Sequence, residues 1–439
     1  MSKKIGVLGL GKSGVSAANL AIKLGYGVFA SDSNKKKEIA GLNKKVKTEF
    51  GGHTGEILNS DIIIKSPGIH SDISVLKEAK KRKTKVISEL EFSLSNSKYK
   101  KIIAITGTNG KTTVTDLTSK IIKAAYKDSI VAGNIGFPLS DKSLKTTKNT
   151  YITTELSSYQ LEDTPCFSPD ISVLLNITPD HLEHHKTMSK YIKAKENIFI
   201  NQKPKDYAVI NFDDKICRKI ASKTAARIVF FSKGKLKKGV YYDNGSFVIS
   251  LGKKKIAVNP KINIVGMHNI ENILASVAAS YCAGVKPAII ERVISNYKGV
   301  EHRIEFVKKI NGADYYNDSK STNVDSTRVA LESFGGNILL IMGGLDKGAP
   351  YLPLKNLLKE RVKGVFLIGS ASEKIKKELG GFAAFYNCGD INKALNKVYS
   401  VAKSGDTVLL SPACASFDQF SNFEERGRVF KELVNSITN

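Results

Sequence analysis

The most chemically suggestive segment is a glycine-rich loop that follows a short apolar run at 101–105. Its sequence at 106–113 is Thr-Gly-Thr-Asn-Gly-Lys-Thr-Thr, and a helix-like stretch follows. Small residues let backbone N–H groups wrap a triphosphate, a lysine can neutralise its β and γ oxygens, and a threonine hydroxyl can bind Mg²⁺. Residue 105 is isoleucine where the common form G-x-x-x-x-G-K-[ST] has glycine, yet the strand–loop–helix context still predicts ATP binding. The predicted ATP residues of this loop are Gly107, Thr108, Asn109, Gly110, Lys111, Thr112 and Thr113.

A second glycine-rich loop, Gly-Leu-Gly-Lys-Ser-Gly, lies at 9–14, and Asp32 ends the next strand-like segment. Glycines permit close approach of the backbone to a ligand, and a helix N-terminus receives a diphosphate. NAD and UDP both supply a diphosphate, so the loop alone leaves a dehydrogenase and a UDP-binding protein open, beside a tight turn without a ligand. A further loop at 66–69, Ser-Pro-Gly-Ile, can line the same pocket.

Both loops are placed by an alternation of short apolar runs and helix-like stretches. Buried apolar strands that alternate with helices predict parallel sheets with helices on both faces. In such sheets ligands bind beyond the carboxyl ends of the strands, which is where the unusual polar clusters of this chain lie. The predicted strands are 5–9, 27–30, 61–64, 85–87, 101–105, 151–154, 171–175, 207–211, 313–316, 337–342, 364–368 and 407–410.

The alternation restarts twice, after the polar stretch 93–100, which we interpret as a linker, and after Gly299. An α/β protein of three domains is therefore predicted. Alternating apolar residues at 240–258 predict a small antiparallel insert, and helical spacing of apolar residues predicts a helix over 265–284. The predicted domains are 1–95, 96–299 and 300–439.

Composition narrows the class of protein. The 439 residues carry a formal net charge of +27, mostly from lysine spread along the chain, with no tryptophan. Without an RNA-binding signature, a solvated lysine-rich surface is favoured over a nucleic-acid site. No apolar run suits a membrane span, there is no signal-peptide core, and five cysteines lack C-x-x-C spacing. We therefore expect a cytoplasmic protein that neither binds nucleic acid nor inserts into membranes.

The glycine loop at 106–113 resembles the ATP loop of the Mur ligases and of the related folylpolyglutamate synthetases. Further motifs that resemble this family follow in order along the whole chain, and the ordered set is far more specific than any single member. The central motifs are Glu155-Leu156-Ser157-Ser158-Tyr159-Gln160, Asn176-Ile177-Thr178-Pro179-Asp180-His181, the pair Tyr191 and Lys195, and Gly266-Met267-His268-Asn269. The later motifs are Glu301-His302-Arg303, Asn317-Asp318-Ser319-Lys320-Ser321-Thr322-Asn323 and Leu410-Ser411-Pro412-Ala413-Cys414-Ala415-Ser416-Phe417-Asp418.

The resemblance implies a Rossmann-like UDP-binding domain, a central P-loop-type ATPase domain and a C-terminal Rossmann-like domain that binds an amino acid. It also implies the reaction. A substrate carboxylate attacks the γ-phosphate of ATP, and an amine then displaces phosphate from the acyl phosphate through a tetrahedral intermediate.

Within the family, residues 410–418 and 422–427 most resemble the member that adds D-glutamate to UDP-N-acetylmuramoyl-L-alanine in peptidoglycan precursor synthesis. The D-[ND]-P-R signature of the diaminopimelate- or lysine-adding members is absent from the sequence. We expect these two small molecules as substrates, ADP and phosphate as products, and a monomer.

The resemblance further implies the catalytic groups Lys111, Glu155, His181 and Lys195. Glu155 and His181 lie at the ends of successive predicted strands, where they can hold Mg²⁺. The family lysine that matches Lys195 carries a carbamate derived from CO₂, which converts a cation into an anion that can bind a second Mg²⁺. A surface carboxylate and an ordinary solvated lysine are the alternatives. The expected metal ligands are Thr112, Glu155, His181 and carbamylated Lys195.

The expected substrate contacts form three sets. Those for the UDP substrate are Gly11, Lys12, Ser13, Asp32, Ser33, Ser66, Gly68, Asn134 and His181. Those for ATP beyond the glycine loop are Asn269, Arg303, Asp318 and Lys320. Those for D-glutamate are Thr322, Lys347, Ser416, Phe417 and Phe423. The alternatives are a turn asparagine for Asn134, an ion pair between Arg303 and Asp318, and a core position for Phe423. His184 and His185 are rivals of His181, since an H-x-x-H pair on a helix can bind a metal, but solvated helix positions are expected for both.

Other functions remain open at this level. Another Mur ligase or a folylpolyglutamate synthetase-like ligase would share the ATP loop, although the latter lack the N-terminal Rossmann-like domain. An NAD-dependent dehydrogenase would leave the second loop and the third domain unexplained. A non-catalytic nucleotide- or nucleic-acid-binding protein would fit the charge alone.

Overall fold

The structure is a computed structural model that describes residues 3–35, 39–134 and 136–437. The chain forms two compact units. The first holds residues 1–260 and 271–294, and the second holds residues 261–270 and 295–439. The first unit contains two β-sheets and the second contains one.

The first sheet of the first unit has five parallel strands in the order β3-β2-β1-β4-β5. Its inner strands are apolar because both faces are covered, and Ile5, Val7 and Ile64 are buried. The strands are β1 (Lys4–Leu8), β2 (Gly27–Asp32), β3 (Lys47–Phe50), β4 (Ile62–Lys65) and β5 (Lys85–Ser88). The helices are α1 (Lys12–Lys23), α2 (Ser74–Lys81) and α3 (Glu89–Ser95).

The second sheet has nine strands in the order β14-β13-β12-β11-β10-β9-β6-β8-β7. Pairing is parallel from β7 to β12, and β12, β13 and β14 pair antiparallel. The strands are β6 (Lys101–Thr106), β7 (Ser129–Gly133), β8 (Tyr151–Glu155), β9 (Ile171–Leu174), β10 (Tyr207–Asn211), β11 (Arg227–Ser232), β12 (Gly239–Asp243), β13 (Ser246–Ser250) and β14 (Ile256–Val258). The helices are α4 (Lys111–Ala125), α5 (Ser158–Glu162), α6 (Leu182–His185), α7 (Met188–Glu196), α8 (Lys215–Ile220), α9 (Met267–Cys282) and α10 (Pro287–Ser295).

The sheet of the second unit has six strands in the order β15-β16-β20-β17-β18-β19. Only β15 and β16 pair antiparallel. The strands are β15 (Glu305–Ile310), β16 (Ala313–Asn317), β17 (Ile338–Gly343), β18 (Val362–Ile368), β19 (Ala384–Gly389) and β20 (Thr407–Leu410). The helices are α11 (Val324–Glu332), α12 (Lys355–Arg361), α13 (Ser372–Leu379), α14 (Ile391–Val401) and α15 (Phe423–Ser436).

The predicted α/β class with three parallel or mixed sheets is confirmed, and so is the antiparallel insert. The polar stretch 93–100 is not wholly a linker, because its first residues complete α3, which Ser88 caps by accepting the Glu91 N–H. The sequence analysis did not predict strands β3, β7, β11, β15 and β19, and all of these except β11 lie at the edge of a sheet. The domain boundaries near 95 and 299 stay a prediction.

Within the described residues, no helix combines the length and the apolar character that crossing a bilayer requires.

The start of α1 depends on a glycine. A Cβ on Gly14 would overlap the carbonyl oxygen of Gly9, so only glycine lets this helix begin so close to the end of β1. We expect Gly14→Ala to lower the free energy of unfolding by about 1–3 kcal/mol, measured by urea denaturation. Gly68→Ala is the control, since none of the described heavy atoms beyond its chain neighbours lies within 4 Å of an added Cβ. Equal midpoints for the two variants would contradict this packing constraint.

Candidate active site

Most of the predicted site residues of the first unit lie near the carboxyl ends of four neighbouring parallel strands, and Lys195 lies on helix α7. The order β9-β6-β8-β7 places the ends of these strands side by side. The glycine loop follows β6, Glu155 ends β8, and Asn134 follows β7. This edge is where an open α/β sheet offers a ligand site.

Two glycines give the loop after β6 its shape. Gly107 and Gly110 have φ values of +158° and +85°, which residues with a Cβ rarely adopt. A Cβ on Gly107 would press on Leu175, and one on Gly110 would overlap the side-chain oxygen of Asn272. The tight curl brings the chain directly from the end of β6 into the N-terminus of α4.

The segment after β9 braces this loop. Asn176 accepts the Thr108 N–H at 2.9 Å through its backbone carbonyl and the Asn109 N–H at 2.8 Å through its side chain. Thr108 Oγ1 accepts the Thr178 N–H at 3.0 Å and lies 3.0 Å from the Tyr191 hydroxyl. Two amides of the loop are thus already bonded within the protein. The N-terminus of α4, which is the positive end of the helix dipole, can bind a polyphosphate.

Two lysine ammonium groups meet at one backbone carbonyl. The oxygen of Gly107 accepts from Lys111 Nζ at 2.9 Å and from Lys195 Nζ at 2.8 Å. Lys195 is 1% exposed, and its Nζ lies 4.7 Å from the centre of the Tyr191 ring. Burial first, and the charge of Lys111 second, hold the pKa of Lys195 well below its usual range. The ammonium of Lys111 can attract a polyanion, while the low pKa favours the neutral, nucleophilic amine of Lys195.

Glu155 offers a buried carboxylate beside this loop. It is 1% exposed, and its Oε1 accepts from Asn134 Nδ2 at 2.7 Å. Its Oε2 is buried, and none of the described residues donates a hydrogen bond to it. Because an unpaired buried carboxylate oxygen is costly, a hard cation is a fitting partner. Ile135, next to Asn134, lies outside the described residues.

His181 takes an unusual backbone conformation but a more open position. Its φ is +52°, and its side chain is 42% exposed. The ring nitrogens lie 3.5 Å from carboxylate oxygens of Asp180 and Glu183, and the ring centre is 4.9 Å from that of Tyr159. An exposed imidazole with acidic neighbours is accessible to a ligand.

The predicted UDP residues of the first sheet lie around the turn between β1 and α1, whereas Asn134 and His181 lie at the second sheet. Ser66 Oγ donates to the Gly9 carbonyl at 3.0 Å, so the loop at 66–69 does meet the first glycine loop. Both carboxylate oxygens of Asp32 accept backbone N–H groups, from Leu10 at 2.6 Å and from Asn34 at 2.8 Å. Asp32 therefore shapes the loop. The exposed members of the set are Gly11, Lys12, Ser33, Gly68 and Asn134.

In the second unit, Asp318 lies beneath the surface. It is 1% exposed and accepts from the Ile304 N–H at 3.2 Å and from Ser411 Oγ at 2.7 Å. Burial raises the pKa of this carboxyl to about 6, although its hydrogen bonds and the charge of Arg303 oppose the rise. With both oxygens engaged, Asp318 holds the loop after β16 in place. Asn269 is also largely buried and donates to the Val265 carbonyl at 2.7 Å.

The residues predicted for D-glutamate are only partly gathered. Lys347 Nζ lies 3.2 Å from Thr322 Oγ1, which joins two of the expected contacts. Ser416 is buried and Phe417 is 68% exposed. Phe423 packs its ring edge-on to His302, with ring centres 6.3 Å apart, and Lys320 Nζ lies 5.9 Å from the centre of the Phe423 ring.

Arg426 is a residue that the sequence analysis passed over. Its side chain is 1% exposed and donates to both the hydroxyl and the carbonyl of Ser319, and to the carbonyls of Cys414 and Ala415. It thereby ties together the loops that carry Lys320 and Ser416. Arg426 lies in the motif at 422–427, Asn-Phe-Glu-Glu-Arg-Gly, so the sequence marked its position. The sequence could not show that its side chain is buried.

Comparison with protein-family models matches three stretches. Residues 3–88 match "Mur ligase MurD-like, N-terminal domain", residues 105–280 match "Mur ligase middle domain", and residues 302–414 match "Mur ligase, glutamate ligase domain". The chain is 44% identical to a UDP-N-acetylmuramoylalanine--D-glutamate ligase of Elusimicrobium minutum, over 99% of this chain and 98% of that protein. The chain belongs to the Mur ligase family.

Other Mur ligases extend the comparison. The ligase of the same name from Clostridioides difficile is 39% identical over 99% of both chains. Among solved structures, MurF of Thermotoga maritima in complex with ADP has a TM-score of 0.62 at 19% identity, over 99% of this chain and 95% of that one. The alanine ligase MurC of Thermotoga maritima has a TM-score of 0.59 at 20% identity, over 99% of both chains. At this identity the solved structures show that the fold is shared.

The buried carboxyl of Asp318 makes the stability of this Mur ligase depend on pH. Its pKa lies above that of the unfolded chain, so its proton stabilises the folded state below about pH 4, and this contribution is lost as the pH rises towards 6. Asp318→Asn removes the titration and keeps an acceptor for the Ile304 N–H. We expect wild type to lose up to about 3 kcal/mol relative to this variant between about pH 4 and pH 7, measured by urea denaturation. Parallel pH profiles would contradict the assignment.

Proposed function

We propose that this chain is an ATP-dependent ligase that joins D-glutamate to UDP-N-acetylmuramoyl-L-alanine, giving ADP and phosphate, in peptidoglycan precursor synthesis. The observation that carries the proposal is the meeting of Lys111 and Lys195 at the Gly107 carbonyl, beside the buried carboxylate of Glu155. The positive charge of Lys111 at the N-terminus of α4 suits a triphosphate, and the neutral amine of Lys195 beside it suits carbamate formation. The names of relatives 39–44% identical over 99% of this chain supply the substrates.

The chemistry follows from making an amide out of a carboxylate, which is a poor electrophile. The carboxylate of the UDP substrate attacks the γ-phosphorus of ATP, giving an acyl phosphate and ADP. The D-glutamate amine attacks the acyl carbon, and phosphate leaves from the tetrahedral intermediate while the amine loses a proton. Lys111 and the first amides of α4 hold the phosphates and offset their charge, so positioning and electrostatics contribute most.

Magnesium fits the residues at this edge. Glu155 has a buried oxygen without a described donor, and Thr112 offers a hydroxyl, both hard oxygen ligands. Mg²⁺ bound there would offset charge between phosphate and substrate carboxylate. A second ion would take His181 and Lys195. A cationic lysine repels a metal, but the low pKa of Lys195 leaves a neutral amine that can attack CO₂, release a proton and become a carbamate.

The remaining expected residues divide by substrate. We assign the UDP moiety to the loops at 9–14 and 66–69, in a domain at 1–95, and ATP to the domain at 96–299. D-Glutamate goes to the domain at 300–439, where Lys347 and Thr322 already lie together. The reaction uses soluble nucleotides, so we place the enzyme in the cytoplasm. We also propose that it acts as a monomer.

A hydride-transferring dehydrogenase is the weaker candidate. In a dinucleotide-binding turn, the acidic residue that ends the second strand binds the ribose hydroxyls. Here both oxygens of Asp32 accept backbone N–H groups, so this carboxylate serves the loop.

A panel assay tests substrate identity. We expect the purified enzyme to release phosphate from ATP only when UDP-N-acetylmuramoyl-L-alanine and D-glutamate are both present, since the acyl phosphate needs its amine acceptor for turnover. L-glutamate, L-lysine and meso-diaminopimelate serve as acceptors for comparison, and the product is checked by mass spectrometry. Equal turnover with another acceptor, or activity with NAD and a hydroxy acid, would overturn the assignment.

The carbamate has its own test. We expect ADP formation to fall at least about tenfold in CO₂-depleted buffer and to recover when bicarbonate is added, because Lys195 then regains its anionic form. Lys195→Arg, a fixed cation, is expected to lose about 100-fold or more and to ignore bicarbonate. Lys193→Arg is the matched control, since Lys193 is exposed on the same helix α7. Normal turnover by Lys195→Arg would remove the carbamate from the mechanism.

A further inference from the structure

A group of metal-ligating side chains lies outside the residues assigned to the reaction. Glu162 ends α5, and His184 and His185 end α6. Their ligand atoms all lie within 4.8 Å of one another. We refer to these three residues as the Glu-His-His cluster. All three belong to the first unit.

The cluster is buried. The side chains of His184 and His185 are 7% and 1% exposed, so the expectation of solvated helix positions was wrong. The Glu162 side chain is 23% exposed. The burial arises because α5 and α6 both pack against α7, and because the ring of Tyr159 packs against both imidazoles, with ring centres 4.4 Å and 5.5 Å away.

The spacing of the donor atoms suits one small ion. His184 Nε2 lies 3.1 Å from Glu162 Oε2, and His185 Nδ1 lies 3.1 Å from Glu162 Oε1. Ligands about 2.0–2.2 Å from a tetrahedral zinc ion lie roughly 3.3 Å from one another. The two nitrogen–oxygen distances are therefore close to the spacing that a shared zinc ion imposes, and all three ligand atoms lie within 4.8 Å of one another.

Neighbouring groups fix the two imidazole rings. Ser158 Oγ lies 2.8 Å from His185 Nε2, which leaves Nδ1 directed at Glu162. The ring of His70 lies against that of His184, with centres 4.2 Å apart. A ligating histidine is commonly oriented in this way by a partner on its other nitrogen.

We propose that the Glu-His-His cluster is a binding site for one zinc-class divalent cation. Glu162, His184 Nε2 and His185 Nδ1 supply three ligands, and a water molecule supplies the fourth. Two imidazoles with one carboxylate favour Zn²⁺ or Co²⁺ over Mg²⁺, which prefers oxygen ligands. The site is thus chemically distinct from that proposed for Glu155 and Thr112.

An ion at the Glu-His-His cluster would stabilise the contact between α5 and α6, next to the candidate UDP loop at 66–69. Asp163, which follows Glu162, forms an ion pair of 2.9 Å with buried Lys65. Lys65 Nζ also donates to the Ile69 carbonyl at 2.8 Å, and His70 comes next in the chain. The cation would link the end of α5 to α6. Because the end of α5 also holds this loop through Asp163 and Lys65, loss of the cation is expected to lower the stability of the protein.

Zinc titration of the full chain tests the proposal. Chelator-treated protein is titrated with ZnCl₂ by calorimetry in millimolar Mg²⁺, which occupies oxygen-rich sites. Wild type is expected to bind one equivalent, and its thermal midpoint is expected to rise with zinc. Co²⁺ in place of zinc is expected to give the visible absorption of a four- or five-coordinate ion with nitrogen ligands.

Two variants remove the imidazoles and keep a hydrogen-bond donor to Glu162. His184→Gln places an amide N–H where Nε2 was, and His185→Asn places one where Nδ1 was. Each is expected to bind zinc at least about tenfold more weakly than wild type and to lose most of the zinc-dependent rise in midpoint. His53→Asn is the control, because it removes a half-buried imidazole of the same unit that bonds to Ser31 instead.

Three results would overturn the proposal. The first is wild type without bound zinc, in which case Glu162 only accepts hydrogen bonds from two histidines. The second is zinc affinity unchanged in both His184→Gln and His185→Asn. The third is binding that survives in these variants but disappears in Glu155→Gln, which would place the ion at the ATP loop. The cobalt spectrum of wild type decides the matter even if a variant fails to fold.

Discussion

The first unit is organised around one backbone carbonyl. The oxygen of Gly107 accepts from both Lys111 and Lys195, so two cationic side chains are held together in a buried place. Like charges repel, and burial disfavours the ionised form of Lys195. The arrangement therefore suits the binding of a polyanion by Lys111 and the reaction of Lys195 as a neutral amine. ATP binding and carbamate formation, as proposed, both depend on it.

The rest of the central sheet keeps that carbonyl in position. Gly107 can turn sharply because it lacks a Cβ, and Asn176 holds the amides of Thr108 and Asn109. Tyr191, one turn before Lys195 on α7, packs under the amine and lies within hydrogen-bonding distance of Thr108. The same contacts that shape the loop thus also set the reach and the burial of Lys195.

The second unit uses buried charge in another way. Arg426 and Asp318 are both 1% exposed. Arg426 donates to backbone carbonyls of the loops that carry Lys320 and Ser416, and Asp318 accepts from the Ile304 N–H and the Ser411 hydroxyl. Sequence patterns located these loops because glycine, serine and asparagine follow apolar strands. The sequence patterns assigned Asp318 to ATP binding and gave Arg426 no role. In the structure the carboxylate of Asp318 supports the loop that follows β16. A pattern of residue types carries no information about which way a polar side chain faces.

The sequence by itself determined the α/β class, both glycine loops, the antiparallel insert and the family, because these depend on local periodicity and on short ordered motifs. Only the tertiary structure decided which distant side chains meet. Lys195 reaches a carbonyl 88 residues away because the order β9-β6-β8 and the return of α7 bring the two segments together. His184 and His185 face Glu162 because α5 and α6 both pack against α7. Such meetings depend on strand order and helix packing, which no single segment of the chain encodes.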